Sequence, residues 1–233
     1  MKIAFIRHGA TAGNLQGCYI GTTDEPLTIG GASALSLRAY PPARLVYTSP
    51  LCRCRETAAR IYPGVPTKEM GALRECDFGD FEGKNYLALN GRADYQAWLD
   101  SGGTLPFPGG ESREAFTARC VRAFDQIVAR EADADAYCEE AGAYCEAGAS
   151  CEEAGASCEK AGAYCEKGAS REAAADEIAI VAHGGTIMAI LSERAMPRRD
   201  YFTYQVKNGE GFLTVWQGGV LRVLSRIGKV DHA

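Results

Sequence analysis

Lys2-Ile3-Ala4-Phe5-Ile6-Arg7-His8-Gly9 opens the chain after Met1. Far along it, Glu177-Ile178-Ala179-Ile180-Val181-Ala182-His183-Gly184-Gly185 follows the same plan. Each is a short run rich in β-branched residues, the composition of a strand, and each ends on His-Gly. The second run is almost unbroken in its apolarity, as expected of a strand buried on both faces in a parallel sheet. Ligands of open α/β sheets bind beyond the carboxyl ends of the strands. Neighbouring strands would therefore bring His8 and His183 together at one edge. The chain has three histidines, the third being His232. That two of them sit at strand ends makes this edge the first candidate for a site.

Working outward, further strands are expected at 45–47, 65–68, 211–216 and 220–225, the last two forming a hairpin over Gln217-Gly218-Gly219. Helices are expected at 28–39, from Pro50 to residue 61 with the proline in the first turn, in short pieces between 84 and 100, and after His183-Gly184-Gly185 through Leu191. A stronger helix is expected at 111–130, with Phe116, Cys120, Val121, Phe124, Ile127 and Val128 on one stripe. The stretch from residue 9 to 27 reads as a Gly- and Thr-rich loop. Strands alternating with helices predict an α/β sandwich.

The 233 residues are 46% apolar and 24% charged, the balance of an ordinary globular protein. No window approaches the roughly 18 apolar residues of a membrane span. The amino terminus is too short and polar for a secretory signal, which implies a cytoplasmic protein with reduced thiols. The formal charge of −5 conceals an asymmetry: residues 131–177 carry 13 acidic and 3 basic groups, leaving 22 basic and 17 acidic elsewhere. That cationic remainder suits a small anion but has no Lys/Arg stripe for nucleic acid.

The acidic stretch 131–176 is a degenerate repeat, interrupting what otherwise reads as a single domain spanning 1–233. Its five cysteines are spaced by 7, 6, 7 and 7 residues, and each unit carries one glycine (142, 148, 155, 162, 168). The apolar pair of a coiled-coil heptad is missing. At about 1 kcal/mol each, five glycines weaken any helix by roughly 5 kcal/mol. Zinc sites need closely paired ligands such as C-x₂-C, which this spacing does not supply. The repeat reads as a surface arm, disordered or marginally helical. It precedes the strand that ends at His183, so it should leave from the edge opposite the histidines, and its removal should leave folding and activity nearly unchanged.

Four motifs now stand in order: Arg7-His8-Gly9 with Thr11 and Asn14; Ser49-Pro50-Leu51-Cys52-Arg53 with Thr57-Ala58; Leu73-Arg74-Glu75 with Phe78-Gly79 and Glu82-Gly83; and His183-Gly184. In this combination the chain resembles the histidine phosphatase superfamily, the phosphoglycerate-mutase-like family, over nearly all its length except 131–176. The resemblance implies a three-layer α/β/α sandwich with a mostly parallel central sheet. It also implies phosphoryl transfer through a phosphohistidine, with no metal or cofactor. His8 would be the nucleophile, Arg7 and Arg53 would hold the phosphoryl oxygens, and His183 would add a donor. Asn14, Gly21 and Gly184 would line the substrate site.

The chemistry asks for these residue types. Phosphoryl transfer is mostly charge neutralisation and positioning, and guanidinium forks match phosphate geometry. A general acid should protonate the leaving oxygen. Composition leaves Glu75, Asp77, Asp80 and Glu82 as candidates, and the resemblance points to Glu75. Cys18, Cys52, Cys54 and Cys76 lie in the same motifs. Thiols near guanidinium groups can be activated, and small buried packing is the alternative.

Family mutases carry extra arginines after the Leu-x-Glu loop, whereas residues 84–110 contain only Lys84 and Arg92. A phosphatase is therefore the expected reading. Tyr86, Tyr95, Trp98 and Phe107 suit an apolar ring on the leaving group, and core packing explains them equally well. Within the family the chain is similar to α-ribazole phosphatases of the cobalamin pathway. That likeness rests on the RHG-x-T-x-x-N start, the 21–27 loop, the 201–211 segment and Ser225-Arg226-Ile227-Gly228. A phosphoglycerate mutase, a broad-specificity sugar phosphatase and a non-catalytic phospho-ligand sensor are the alternatives.

Overall fold

A computed structural model describes residues 1–146 and 177–228, with residues 133–146 described by backbone alone. The strands are β1 (Lys2–Arg7), β2 (Leu45–Thr48), β3 (Thr67–Glu69), β4 (Glu177–Ala182), β5 (Gly211–Gln217) and β6 (Val220–Ile227). They form one sheet in the order β3-β2-β4-β1-β5-β6. Pairing is parallel from β3 through β1 and antiparallel at β5 and β6, which is the mostly parallel sheet expected. Every residue of β4 is buried, so both faces of the sheet are covered.

The helices are α1 (Ala12–Leu15), α2 (Ile29–Leu35), α3 (Cys52–Ile61), α4 (Tyr86–Leu89), α5 (Ala93–Asp100), α6 (Arg113–Glu146) and α7 (Gly184–Arg194). Cys54, Ala58 and Tyr62 from α3 and its end pack with Ala4, Ile6, Val46, Ala179 and Val181 on one face of the sheet. Ile3, Phe5, Ile178 and Ile180, of opposite parity on the strands, are equally buried. The six residues of the expected α6 stripe are all buried as well.

Two elements differ most from expectation. α1 lies inside the predicted loop, because Thr11 and Asn14 form a reciprocal cap. The Asn14 N–H donates to the Thr11 hydroxyl at 3.3 Å, and the Thr11 N–H donates to Asn14 Oδ1 at 3.4 Å. One turn is too short to show periodicity. α6 runs on to Glu146 rather than stopping near 130. The first repeat residues are mostly Ala, Asp and Glu, and Gly142 alone costs only about 1 kcal/mol against that background. The rest of the repeat, 147–176, lies outside the described residues.

By contacts the chain divides into two compact units, Met1–Ala123 with Ala174–Ala233, and Phe124–Ala173. The sheet and every candidate site residue belong to the first unit; the second begins partway along α6. Among the described residues no helix is long and apolar enough to cross a membrane.

Register sets the polarity of the sheet. Lys2 lies opposite Glu177 and Arg7 opposite Ala182, and Lys2 pairs with Glu177 at 2.7 Å. The chain therefore enters β4 at the amino edge, and His8 and His183 emerge together at the carboxyl edge.

Candidate active site

His8 and His183 follow adjacent parallel strands, and their ring centroids lie 5.1 Å apart. The His8 N–H donates to the Ala182 carbonyl at 3.0 Å, which extends the ladder one residue beyond β1. His8 is almost fully buried. Its Nδ1 lies 2.7 Å from the Gly9 carbonyl, a group that can only accept. Nδ1 therefore carries the proton and Nε2 keeps its lone pair. Burial first, then Arg53 and Arg7, hold the His8 pKa well below 6.5. The imidazole is thus neutral at neutral pH, the state a nucleophile needs.

Arg7 donates through Nη1 to the Val206 carbonyl at 2.8 Å. Its Nε is buried without a partner, a rare condition for a charged donor. Arg53 is fully buried. It donates to His183 Nδ1 (3.3 Å) and to the carbonyls of Thr23 (2.7 Å), Ile20 (3.3 Å) and Gly21 (3.0 Å). Four of its five donors are thereby used, three of them to hold the 20–23 loop, so Arg53 contributes to this edge chiefly through its charge and one remaining N–H. Its helix is tied to the first loop through Thr57, whose hydroxyl accepts from the Gly9 N–H at 2.9 Å and donates to the Arg53 carbonyl at 2.7 Å.

His183 has partners on both ring nitrogens. Nδ1 accepts from Arg53, so Nε2–H donates to the Ser49 hydroxyl at 2.8 Å. Burial and then His8 hold its pKa well below 6.5. In this arrangement His183 orients Arg53, and it can reach a ligand only by giving up Ser49. Gly184 opens α7, where the first amides have no partner within the helix.

Glu75 meets these groups from the loop after β3. Cys76 N–H donates to its Oε1 and Gly185 N–H to its Oε2, both at 3.1 Å. A Cβ on residue 185 would displace this carboxyl group, so glycine lets it approach the start of α7. Burial raises the Glu75 pKa, against the lowering effects of those two N–H groups, Arg7 and Arg53. Two of the rival carboxylates are occupied. Glu82 accepts from the N–H groups of Gly21 and Thr23 and from the Thr23 hydroxyl, and Asp77 accepts from the Gly79 N–H.

Asn14 and Gly21 also come to this edge. Asn14 Oδ1 accepts from Thr11 N–H and, at 2.9 Å, from Asn208, which leaves its NH₂ as the end for a ligand. Gly21 has its N–H on Glu82 and its carbonyl on Arg53. A Cβ there would strike the Cys76 carbonyl, so Gly21 seats one loop against the other. Sequence reasoning missed Asn208, whose NH₂ also reaches the carbonyls of His8 (3.1 Å) and Gly9 (3.3 Å). It missed Ser49's bond to His183 too. Ser49 lay inside a quoted motif, whereas nothing local marks Asn208.

Two expectations about neighbouring residues resolve toward packing. Tyr95, Trp98 and Phe107 cluster with Tyr19, Phe78 and Phe81 at centroid distances of 5.0–6.4 Å, while Tyr86 is largely exposed. These aromatics form a core around Tyr19. Cys52, Cys54 and Cys76 are not activated. A hydrogen bond to Glu56 pushes Cys52 up. Burial does the same for Cys54, outweighing Arg53, and for Cys76.

A model of the histidine phosphatase superfamily (branch 1) matches residues 3–139. Over 137 residues, 55% of the chain, it is 34% identical to the adenosylcobalamin/α-ribazole phosphatase of Salmonella typhimurium, covering 68% of that protein. Over 144 residues, 57% of the chain, it is 33% identical to a 2,3-bisphosphoglycerate-dependent phosphoglycerate mutase of Gloeobacter violaceus, covering 65% of that protein. The fold matches the α-ribazole phosphatase of Shigella flexneri with a TM-score of 0.70 at 20% identity, covering 98% of this chain and 96% of that one. A phosphoglycerate mutase of Thermus thermophilus gives 0.61 at 25%, covering 97% and 98%. Motifs, fold and relatives agree: this chain belongs to the histidine phosphatase superfamily and is an enzyme of that phosphatase class.

Proposed function

We propose that the protein hydrolyses a small phosphate monoester through a phosphohistidine on His8, without metal or cofactor. The observation that carries this reading is the pairing of a buried, neutral imidazole, its tautomer set by the Gly9 carbonyl, with an Arg7 guanidinium whose buried Nε lacks a partner. In the first step His8 Nε2 attacks phosphorus. The bond from phosphorus to the bridging oxygen breaks, and that oxygen takes the proton of Glu75. The new imidazolium keeps its Nδ1–H on Gly9. In the second step Glu75, now a carboxylate, accepts a proton from water as the water oxygen attacks phosphorus. The P–N bond breaks, inorganic phosphate leaves, and both residues return to their starting states. Arg7, Arg53, Asn14 and the amide of Gly184 would offset charge on the phosphoryl oxygens.

Hydrolysis is favoured over mutase chemistry because both cations of the 84–110 segment are engaged. Arg92 pairs with Asp94 at 2.6 Å, and Lys84 Nζ donates to the Asp80 carbonyl. Neither is placed to hold a second anionic group of a substrate. The relatives' names support α-ribazole 5′-phosphate, an intermediate of cobalamin biosynthesis, as the substrate. They equally include phosphoglycerate mutases, so a panel containing α-ribazole phosphate, sugar phosphates and 3-phosphoglycerate decides between hydrolysis and isomerisation.

Glu75→Gln tests the acid. For an alkyl phosphate, kcat/KM should fall by about 10²–10⁴, the worth of a general acid. An aryl phosphate, whose leaving group needs little protonation, should lose far less. The wild-type alkyl profile should fall as pH rises through the raised Glu75 pKa, and the acid limb should lie below 6.5 because His8 is depressed. Equal losses for both esters would move the acid to another group.

A further inference from the structure

Glu75 lies in a stretch of chain, between the 3-10 turns Gly71–Leu73 and Gly79–Phe81, that has neither sheet nor helix to fix its backbone. Arg119 supplies the missing partners from α6. Its Nη1 donates to the carbonyls of Ala72 (2.9 Å) and Arg74 (3.0 Å), and its Nη2 donates to that of Glu75 (3.2 Å). The same guanidinium forms a fork with Glu111, Nε to Oε1 at 3.0 Å and Nη2 to Oε2 at 2.7 Å. All five donors of the side chain are thus used. Glu111 completes the strap, since its Oε2 accepts from Asp77 N–H at 3.2 Å and its own N–H donates to the Asp77 carbonyl at 2.9 Å.

From the other side, the Thr186 hydroxyl on α7 reaches the carbonyls of Leu73 and Arg74 at 3.2 and 3.3 Å. The loop is therefore held between α6 and α7, and Gly185, which anchors the Glu75 carboxyl group, is also on α7. A shift of the loop relative to α7 moves the acid relative to the histidines. Proton transfer in the transition state tolerates little of this, as misplacement by 1 Å can cost about 10²-fold.

We propose that the Arg119–Glu111 pair is the positioning device for the general acid, separate from the groups that hold phosphate. This rests on the reading of Glu75 as the acid. Neither residue touches the reacting atoms, so the pair acts on leaving-group protonation and spares nucleophilic attack. Lysine cannot replace Arg119, because an ammonium has three donors and no planar fork.

The test compares glycerol 2-phosphate, an alkyl ester, with p-nitrophenyl phosphate in the Arg119→Lys, Glu111→Gln and Glu75→Gln variants. Arg119→Lys should lower kcat/KM for the alkyl ester by about 10²-fold and for the aryl ester by less than roughly threefold. Glu111→Gln should act in the same direction with a smaller loss, and it decides the matter if Arg119→Lys fails to fold. Adding Arg119→Lys to Glu75→Gln should cost the alkyl ester nothing more, since both changes act on one step. If Glu75→Gln separates the two esters while Arg119→Lys and Glu111→Gln lower both alike, or neither, the positioning role is overturned and the acid assignment stands. If Glu75→Gln fails to separate them, the acid assignment falls and the positioning role with it.

Discussion

His8→Ala should reduce turnover of every phosphate ester by on the order of 10⁶-fold, the scale seen when a covalent nucleophile is deleted. The expectation follows from its position. His8 is held at the end of β1 by a ladder bond to Ala182, with Nδ1–H on Gly9 and Nε2 left unprotonated. Alanine keeps the backbone bonds and removes the ring that carries the attacking atom. The fold should survive, and pH offers a check. A histidine whose folded pKa lies below its unfolded value of 6.5 contributes stability above that pH, and the contribution is lost as pH falls toward the folded pKa. His8→Ala should therefore flatten part of the loss of unfolding free energy below about pH 6.5, leaving the part due to His183. Turnover within tenfold of wild type would end the phosphohistidine mechanism.

Arg53→Ala should be nearly as damaging, and for two reasons that can be separated. Its positive charge lies beside both histidines and offsets charge on the phosphoryl group. Removing one such stabilising donor costs about 10²–10³ in rate, and the loss should be the same for alkyl and aryl esters because it precedes any question of leaving group. The second reason is structural. Alanine strips donors from the carbonyls of Ile20, Gly21 and Thr23 and should lower stability by roughly 2–5 kcal/mol. Arg53→Lys keeps the charge and should recover part of the activity, while an ammonium, with three donors and no fork, restores less of the stability measured by denaturant titration. Preferential loss on alkyl esters would mean that Arg53 acts through Glu75 instead.

That His8 and His183 share one sheet edge was legible because the signals are local. A buried strand followed by His-Gly occurs at 2–9 and again at 177–185, and strand direction alone puts both imidazoles on one side. The Leu-x-Glu loop named Glu75 only through the family resemblance. Its three neighbouring carboxylates look alike in sequence, and the bond from Gly185 N–H, two residues after His183, is what distinguishes it. The supports were not legible. Arg119 meets backbone carbonyls some 45 residues away, and Asn208 reaches Asn14 across 194. Periodicity does not report contacts of that kind. Tyr95, Trp98 and Phe107 were ambiguous for the converse reason, since an aromatic run reads alike whether it packs on itself or on a ligand. The extent of α6 followed helix propensity past the point where the repeat begins.

If phosphate passes through His8, the phosphoenzyme itself can be trapped. In Glu75→Gln the second step lacks its base, so an aryl phosphate should give a burst of released alcohol approaching one equivalent of enzyme, followed by slow turnover. Quenching in alkali, which preserves phosphohistidine, and sequencing the peptides by mass spectrometry should place one phosphoryl group on His8, with the label lost on acid treatment. A label on any other residue, or product formed in a single turnover without a phosphoenzyme, would contradict the account.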